Sequence, residues 1–286
     1  RYASEGAALY LVAEGTERQL KDVVETCRDL SPNGAEIELG QFDLAEPDAP
    51  EAMIAAALET HGRIDILVNN AGIRDHKPFG EFTRREFDKI VSVNIAAAFF
   101  ASQAALPAMR KQGGGRIIHI ASQMGSVAFD KRAIYGLTKA ALIHLTKTMA
   151  FELGEENIIV NSISPGPILT QPILDRLEQD PDYINTRGTY LRSGRFGEPE
   201  EIAELAFYLA ATDATYMQGT DLIIEHIEKW VCPTITSDQV IGGKVFQFKN
   251  DHRPHVVIVS AEREYKTETT LPIFALKHLG KEFLEI

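Results

Sequence analysis

Six short apolar runs alternate with longer amphipathic stretches along most of the chain, and this alternation restricts the fold more than any other feature. The runs that predict strands are residues 8–13, 35–42, 63–70, 115–122, 157–164 and 220–225. Their apolar residues are largely continuous, as expected for strands covered on both faces of a sheet. The stretches that predict helices are Glu17–Asp29, Pro50–His61, Arg84–Lys111, Ala133–Leu153 and Glu200–Ala211. The pattern therefore predicts an α/β fold with a doubly wound parallel sheet.

Polar residues follow three of these strands. With right-handed crossovers, the carboxyl ends of parallel strands meet at one edge of the sheet, where ligands bind. The third predicted strand ends at Asn69–Gly72, the fourth at Ser122 and the fifth at Pro165–Gly166. Tyr135 and Lys139 lie on the helix that begins shortly after Ser122, and their spacing puts both side chains on one helix face. We therefore expect these residues to border one crevice.

Ser122, Tyr135 and Lys139 together suit proton transfer to or from an oxygen atom. A phenol titrates near pH ~10 and is a poor base at neutral pH, but a neighbouring cation favours the phenolate. Lys139 is therefore expected to lower the pKa of Tyr135, so that the phenol can exchange a proton with an oxygen that Ser122 holds. Each residue alone has a simpler explanation, as a solvated pair or a strand-end cap, and only the conjunction indicates a site.

The same residues carry a resemblance to a known family. The matching segments are NNAG at 69–72, Asn94 within VSVNIAAAFF, Ser122, YGLTK at 135–139 and SPG at 164–166. Together they resemble the short-chain dehydrogenase/reductase family, classical type, over about residues 1–225. The resemblance implies a Rossmann-like domain that uses NAD or NADP to oxidise a secondary alcohol or reduce a ketone of the sugar, polyol or 3-oxoacyl type. Substrate specificity is expected from the segments Pro167–Gly194 and Gln123–Lys131.

The resemblance also implies a role for each matched residue. Tyr135 would be the general acid/base, Ser122 would orient the substrate oxygen, and Lys139 would lower the pKa of the tyrosine and contact the nicotinamide ribose. Asn94 would kink its helix and hold a water molecule of the proton relay. The cofactor-binding residues would be Asn70, Ala71 and Gly72 on the adenosine side, Asp43 near the adenine, Pro165, Gly166 and Thr170 beside the nicotinamide, and Tyr135 with Lys139.

Glu14 indicates which form of the cofactor is used. In the family, an acidic residue at the end of the second strand binds the ribose 2′-hydroxyl of NAD. Here that strand ends at Ala13, and Glu14 follows it, where a carboxylate would repel the 2′-phosphate of NADP. The sequence therefore favours NAD, although Arg18 could reach a phosphate and Glu14 could be an ordinary solvated loop residue.

The chain departs from the family pattern at its N-terminus. RYASEGAALYLVAEG contains no counterpart of the first strand and its glycine-rich TGxxxGxG turn, which supplies backbone N–H groups for the pyrophosphate. We therefore expect a Rossmann-like sheet that lacks its first strand, in an N-terminally truncated chain. The alternative to an active enzyme is an inactive fragment or fusion product that does not bind the cofactor tightly.

The character of the sequence changes near residue 226, where an unrelated C-terminal extension begins. Residues 226–254 predict a linker, and residues 255–286 restart as a strand followed by a helix. This last segment resembles the opening of the trehalose-utilisation-like family, which has a glutamine-amidotransferase-like α/β fold. The matching residues are Glu264, Tyr265, Glu268, Thr270, Leu271 and Pro272. One βα unit cannot bury a core of its own, so the segment is either part of a second domain or a docked tail.

Composition limits the partners. A formal net charge of −12 argues against nucleic acid or an anionic membrane as the main partner, and no apolar run approaches the ~20 residues of a membrane span. Neither Cys27 and Cys232 nor His252, His255 and His278 have metal-ligand spacing, so no metal site is predicted. The sequence predicts a reduced, cytoplasmic setting and a small-molecule alcohol or ketone as substrate. The family resemblance implies a homo-oligomer formed through the helices at 84–111 and 133–153.

Overall fold

All six predicted strands are present, and every pairing between them is parallel. The computed structural model describes residues 1–14, 17–32, 34–180, 182–183, 193–212 and 215–224. The strands are β1 (Leu9–Ala13), β2 (Ile37–Gln41), β3 (Ile66–Asn69), β4 (Gly115–Ile120), β5 (Ile158–Pro165) and β6 (Asp221–Ile224). Parallel strands that alternate with helices confirm the predicted α/β fold.

The strands divide into two sheets. β1 pairs with β2, and the larger sheet has the order β3-β4-β5-β6. Its register sets Asn69 opposite His119 and Pro165 opposite Ile224, so the carboxyl ends of the four strands lie at one edge. We expected a single sheet that lacks its first strand. The described strands instead form a two-stranded sheet and a four-stranded sheet.

Within the described ranges, the helices match the predicted ones, with one addition. They are α1 (Glu17–Leu30), α2 (Ala49–His61), α3 (Arg84–Val91), α4 (Ala97–Lys111), α5 (Ala133–Leu153), α6 (Gln171–Gln179) and α7 (Pro199–Ala211). A π-turn, Ser92–Ala96, divides the predicted helix Arg84–Lys111 into α3 and α4. The addition is α6, which lies after β5 in a segment that we interpreted as a loop.

Local sequence signals set two of the helix ends. At the start of α3, Thr83 Oγ1 accepts a hydrogen bond of 3.2 Å from the backbone N–H of Glu86, and Glu86 Oε2 accepts one of 2.9 Å from the backbone N–H of Thr83. This reciprocal pair is a capping box. At the end of α2, Gly62 adopts a φ of 71°, a left-handed conformation that favours glycine.

The main core lies between the larger sheet and the helices α2, α4 and α5. Its buried side chains include Met53, Ile54, Ala57, Ala101, Ala105, Met109, Ile117, Leu153, Ile158 and Val160. Tyr10 of β1 and Phe42 after β2 pack on the same core and so attach the smaller sheet to it. Because successive side chains of a strand alternate between faces, Ile118 belongs to a second cluster, with Leu209 of α7. Both faces of the larger sheet are therefore covered.

The helix formed by α3, the π-turn and α4 corrects one expectation from composition. By length and apolar content it could cross a membrane, since an 18-residue window within Arg84–Lys111 has a mean hydropathy of 1.5. The expectation that no apolar run approaches the ~20 residues of a membrane span was therefore wrong for this helix. Ala101 and Ala105 are completely buried in the main core, however, and small side chains of this kind let a helix lie close to a sheet. Of that window 44% is buried, so packing against the sheet accounts for one face of the helix.

The predicted boundary near residue 226, the linker and the partial βα unit lie outside the described residues. The same holds for Cys232 and for the three histidines after residue 250.

Candidate active site

A cavity of about 350 Å³ opens where β3, β4 and β5 end. These strands are parallel neighbours, so the loops that follow them meet although they are far apart in the sequence. Helix α5 contributes a further wall. Of the residues expected at the site, those that line the cavity are Asn70, Gly72, Ser122, Tyr135, Lys139, Pro165, Gly166 and Thr170.

The side chains of Ser122 and Tyr135 line this cavity together, and side-chain hydrogen bonding by Ser122 acts to lower the pKa of the phenol. Ser122 is 7% exposed, and its Oγ also accepts a hydrogen bond of 3.2 Å from the backbone N–H of Met124. This second bond caps the short 3₁₀ turn Gln123–Gly125 and so fixes the position of the serine hydroxyl. A ligand oxygen at this place would meet two hydroxyl groups at once.

Burial has the largest effect on the pKa of Tyr135. It raises the pKa of Tyr135 above the ordinary value, because the charged phenolate is disfavoured away from water. The hydrogen bond to Ser122 and the positive charges of Arg74 and Arg132 lower the pKa, but by less than burial raises it. The net shift is upward and Lys139 is not among its causes, so the expected lowering by Lys139 remains a prediction. The cations that do oppose burial are two arginines.

Lys139 lies close to the tyrosine ring but directs its charge elsewhere. Its Nζ is 5.6 Å from the ring centroid of Tyr135 and donates a hydrogen bond of 2.6 Å to the backbone carbonyl of Ile120. The residue is 3% exposed, and burial lowers the pKa of Lys139 to about 8. A Cβ at Gly72 would stand 3.4 Å from Nζ, so the loop after β3 passes close to the ammonium group. An ammonium group has three N–H donors, and Ile120 engages one of them.

Asn94 lies in the π-turn and joins the loop after β3 to α5. Its Oδ1 accepts a hydrogen bond of 2.8 Å from the backbone N–H of Ile73, and its Nδ2 donates to the carbonyl of Ile73 and to Thr138 Oγ1, both at 3.0 Å. Thr138 in turn donates to the carbonyl of Tyr135 at 2.8 Å. The expected irregularity of this helix is thus a π-turn, a feature that is frequent at functional sites. That Asn94 holds a relay water remains a prediction.

Two glycines allow the Ser122 loop to pack closely against α5. A Cβ at Gly125 would lie 2.7 Å from a side-chain atom of α5 and 2.8 and 2.9 Å from two of its backbone atoms. A Cβ at Gly136 would lie 3.1 Å from the carbonyl oxygen of Met124. Only glycine permits the first of these approaches. The sequence analysis assigned a role to neither residue.

Three charged residues at the site were not singled out from the sequence. Arg74 and Arg132 line the cavity, the first as an exposed side chain after β3 and the second immediately before α5. Asp75 is 7% exposed, and its Oδ2 accepts a hydrogen bond of 3.0 Å from the backbone N–H of Ile134. Asp75 thereby caps the first turn of α5, and its charge adds to the rise in the pKa of Tyr135 that burial causes. No local sequence pattern identifies a helix cap when the capping residue lies so far from the helix along the chain.

The other expected cofactor-binding residues lie outside the cavity wall. Ala71 is exposed in the loop after β3. Glu14 and Asp43 are exposed after β1 and β2, and Asp43 Oδ1 accepts a local hydrogen bond of 2.8 Å from the backbone N–H of Ala45. The structure therefore brings together the residues expected at the nicotinamide end with Asn70 and Gly72, which were expected on the adenosine side. Glu14 and Asp43 lie at the smaller sheet.

Comparison with known proteins agrees with this geometry. A family model described as "Enoyl-(Acyl carrier protein) reductase" matches residues 1–226. D-beta-hydroxybutyrate dehydrogenase of Rhizobium meliloti (strain 1021) is 34% identical over 235 residues, which cover 78% of this chain and 89% of that protein. The family-model match includes every residue of the cavity wall.

Solved structures extend the similarity to three dimensions. A short-chain dehydrogenase/reductase from Serratia marcescens BCRC 10948 has 34% sequence identity and a TM-score of 0.70, over 78% of this chain and 87% of that one. L-sorbose reductase from Gluconobacter frateurii, solved with NADPH and L-sorbose, has 30% identity and a TM-score of 0.73, over 78% and 87% of the two chains. Motifs, fold and relatives agree, and the chain belongs to the short-chain dehydrogenase/reductase family of NAD(P)-dependent oxidoreductases.

Proposed function

We propose that this chain interconverts a secondary alcohol and the corresponding ketone, with Tyr135 as the general acid/base. The observation that carries the proposal is that Ser122, Tyr135 and Lys139 line one cavity, with the Nζ of Lys139 5.6 Å from the centroid of the phenol ring. A carbonyl oxygen bound by both hydroxyls would have one group that orients it and one that donates a proton.

The acidity of Tyr135 favours one direction of this reaction. Because its pKa is raised by burial, the phenol is protonated at neutral pH and can donate its proton to a ketone oxygen that gains negative charge. In alcohol oxidation the phenolate must accept a proton, and the positive charges of Arg74 and Arg132 stabilise that form only in part. We therefore expect ketone reduction to be the faster direction near neutral pH.

The cavity fits the nicotinamide end of NAD or NADP, which supplies or accepts the hydride when it is bound. Gly72 leaves room beside the ammonium group of Lys139, where a Cβ would come within 3.4 Å of Nζ. Two N–H donors of Lys139 remain after the bond to Ile120, and they suit the hydroxyl oxygens of a ribose. The wall beside the nicotinamide would consist of Pro165, Gly166 and Thr170.

We propose NAD as the preferred cofactor because of Glu14. This carboxylate is exposed directly after β1, where it would attract a ribose hydroxyl and repel a phosphate. Since L-sorbose reductase was solved with NADPH, the preference needs a direct measurement. Titration with NADH and NADPH, followed by nicotinamide fluorescence, should give the tighter binding for NADH in the wild type. Glu14→Gln should reduce that difference.

The substrate that we propose is a sugar, a polyol or a 3-oxoacyl compound. Two relatives are named for hydroxybutyrate and L-sorbose, which fall within this range. Apolar side chains from the two segments expected to control specificity line the cavity, and they are Met124, Phe129, Ile168 and Ile173. Phe196, just after the second segment, lines it as well. They would contact the carbon skeleton of the substrate.

Replacement of the phenol tests the proposed acid/base. Tyr135→Phe should abolish ketone reduction while NADH still binds, because only the hydroxyl is removed. Tyr216→Phe is the matched control, since Tyr216 is fully exposed. Turnover by Tyr135→Phe close to the wild-type rate would refute the mechanism. A wild-type chain that binds neither NADH nor NADPH below about millimolar concentration would support the alternative of an inactive fragment or fusion product.

We also propose that the chain forms a homo-oligomer through α4 and α5. Large apolar side chains are exposed on these helices, with Phe99 at 43%, Leu137 at 54% and Phe151 at 91% of their surface. A second copy could cover them. Sedimentation of the wild type and of Phe151→Ser would reveal whether this face associates, and a monomeric wild type would refute it.

A further inference from the structure

The charge of the cavity wall is opposite to that of the whole chain. The protein has 41 acidic and 29 basic residues, Asp and Glu against Lys and Arg. The described residues that line the cavity nevertheless include Arg74, Arg132 and Lys139 and no Asp or Glu. A concave site lined by one sign of charge attracts ligands of the opposite sign. The wall therefore indicates an anionic ligand.

The two arginines act at the reacting end of the cavity. Arg74 and Arg132 line the same cavity as Tyr135, and the positive charge of each favours the phenolate. Arg74 is exposed, and within the described part of the chain no hydrogen bond or ion pair engages its guanidinium group. An unengaged guanidinium can bind a carboxylate through two parallel hydrogen bonds.

The position of this charge distinguishes the arginines from Lys139. The ammonium group of Lys139 is bound to the carbonyl of Ile120 and lies beside Gly72, on the side that the nicotinamide ribose would occupy. The arginines flank the phenol, one from the loop after β3 and the other from the start of α5. Asp75, the acidic group near them, has its Oδ2 bonded to the backbone of α5. The positive charge near the reacting oxygen thus comes from the arginines.

We propose that the substrate of this site is an oxo acid, or the matching hydroxy acid, whose carboxylate is bound by Arg74 and attracted by the positive charge of Arg132, while its carbonyl oxygen contacts Ser122 and Tyr135. The inference rests on the proposed function and narrows its substrate class. Because Arg74, Arg132 and Tyr135 line one cavity of about 350 Å³, the carboxylate would lie only a few bonds from the carbon that reacts. The apolar wall that includes Phe129 then holds the rest of a short carbon chain.

The test compares two ketones that differ only in charge. Acetoacetate and methyl acetoacetate have the same reacting carbonyl group, but only the first carries a carboxylate. The full chain should reduce acetoacetate with a kcat/KM at least about tenfold higher, as expected for charge-assisted hydrogen bonds. Arg74→Gln and Arg132→Gln should each lower kcat/KM for acetoacetate by roughly 10- to 100-fold and leave that for the ester within about threefold. Arg74→Lys should restore part of the loss.

Matched measurements separate the possible outcomes. Arg85→Gln, on the exposed surface of α3, is the control and should change neither substrate. Equal rates for acid and ester in the wild type would overturn the proposal, while Tyr135-dependent reduction would still stand. A loss of NADH binding in Arg74→Gln, with the acid preference intact, would assign the arginine to the cofactor and also overturn it.

A binding measurement decides the proposal even if the chain reduces neither ketone. Saturation-transfer NMR detects weak binding of acetoacetate without turnover. Signals that appear with the wild-type chain, weaken with Arg74→Gln and persist with Arg85→Gln would support the carboxylate site. Signals that are absent, or equal in wild type and Arg74→Gln, would refute it.

Discussion

The carboxylate of Asp75 accepts a hydrogen bond of 3.0 Å from the backbone N–H of Ile134, although 59 positions separate the two residues. Ile134 directly precedes Tyr135, so this bond anchors the start of α5 to the loop that follows β3. The bond thereby fixes the position of the loop relative to the helix, and both border the cavity.

Asp75→Ala should destabilise the protein and disturb the site. Loss of a helix cap costs about 1 kcal/mol of unfolding free energy, and the first turn of α5 would loosen around Tyr135.

Asp75→Asn keeps an acceptor but removes a negative charge, so it should lower the pKa of Tyr135 and shift the pH profile of kcat/KM to lower pH. Urea unfolding and the pH profile are the measurements. Asp22→Ala, on the exposed face of α1, should change neither, and an unshifted profile for Asp75→Asn would contradict the electrostatic part.

Gly125→Ala should be strongly destabilising, because its Cβ would lie within 2.9 Å of two backbone atoms of α5. Overpacking of this kind costs about 1–3 kcal/mol, and here it would also push Ser122 away from Tyr135. Gly80→Ala is the matched control, since a Cβ there meets nothing within 4 Å. Thermal unfolding of both variants tests the difference. Equal melting temperatures would show that the loop can shift without cost.

His119 should make the stability of the protein depend on pH. The residue is completely buried, and burial, with a contribution from the charge of Lys139, lowers the pKa of His119 to about 4. Between that value and the unfolded pKa of about 6.5, the unfolded chain binds a proton that the folded chain does not. Stability should therefore fall by up to about 3 kcal/mol as the pH drops through this window.

His119→Gln should remove most of that pH dependence, because glutamine does not titrate. Urea unfolding at pH 7 and pH 4.5 measures the effect. His144→Gln provides the control, since His144 is exposed and its substitution should leave the pH dependence in place. An equal loss of stability at low pH in wild type and His119→Gln would assign the effect to other groups.

Thr138→Val should cost about 1 kcal/mol or more, because it breaks the link from Asn94 to the carbonyl of Tyr135. Asn94→Ala should cost about 2–3 kcal/mol, since three hydrogen bonds are lost in a buried place. Thr26→Val is the control. Its hydroxyl also bonds a backbone carbonyl of the preceding turn, but at an exposed position, so the change should be nearly neutral. A double-mutant cycle between Asn94 and Thr138 should reveal coupling, and strict additivity would contradict the link.

Periodicity predicted the strands and most of the helices, because their apolar residues face cores on both sides of the sheet. It missed α6, Gln171–Gln179, where a proline and several polar residues obscure the helical pattern. The spacing of Tyr135 and Lys139 correctly placed both at one cavity. It could not predict the direction of the pKa shift of Tyr135, since that depends on burial and on the arginines beside it.

Contacts between segments that lie far apart along the chain also could not be predicted from the sequence. Asp75 and Ile134 form a cap whose two halves lie on different elements, so neither half has a local signal. Gly125 resembles any loop glycine until α5 is packed against it. Such residues are recognised only when the atoms of the opposing segment are known.

The π-turn at Ser92–Ala96 holds one residue more than a regular helical turn of the same height. Deletion of a single residue there would rotate α3 by about 100° relative to α4. Either the polar side of α3 would turn toward the interior, or the alanines of α4 would leave the sheet. The additional residue therefore sets the rotation of α3 relative to α4. A homologous chain that lacked it would need different residues on the buried face of either α3 or α4.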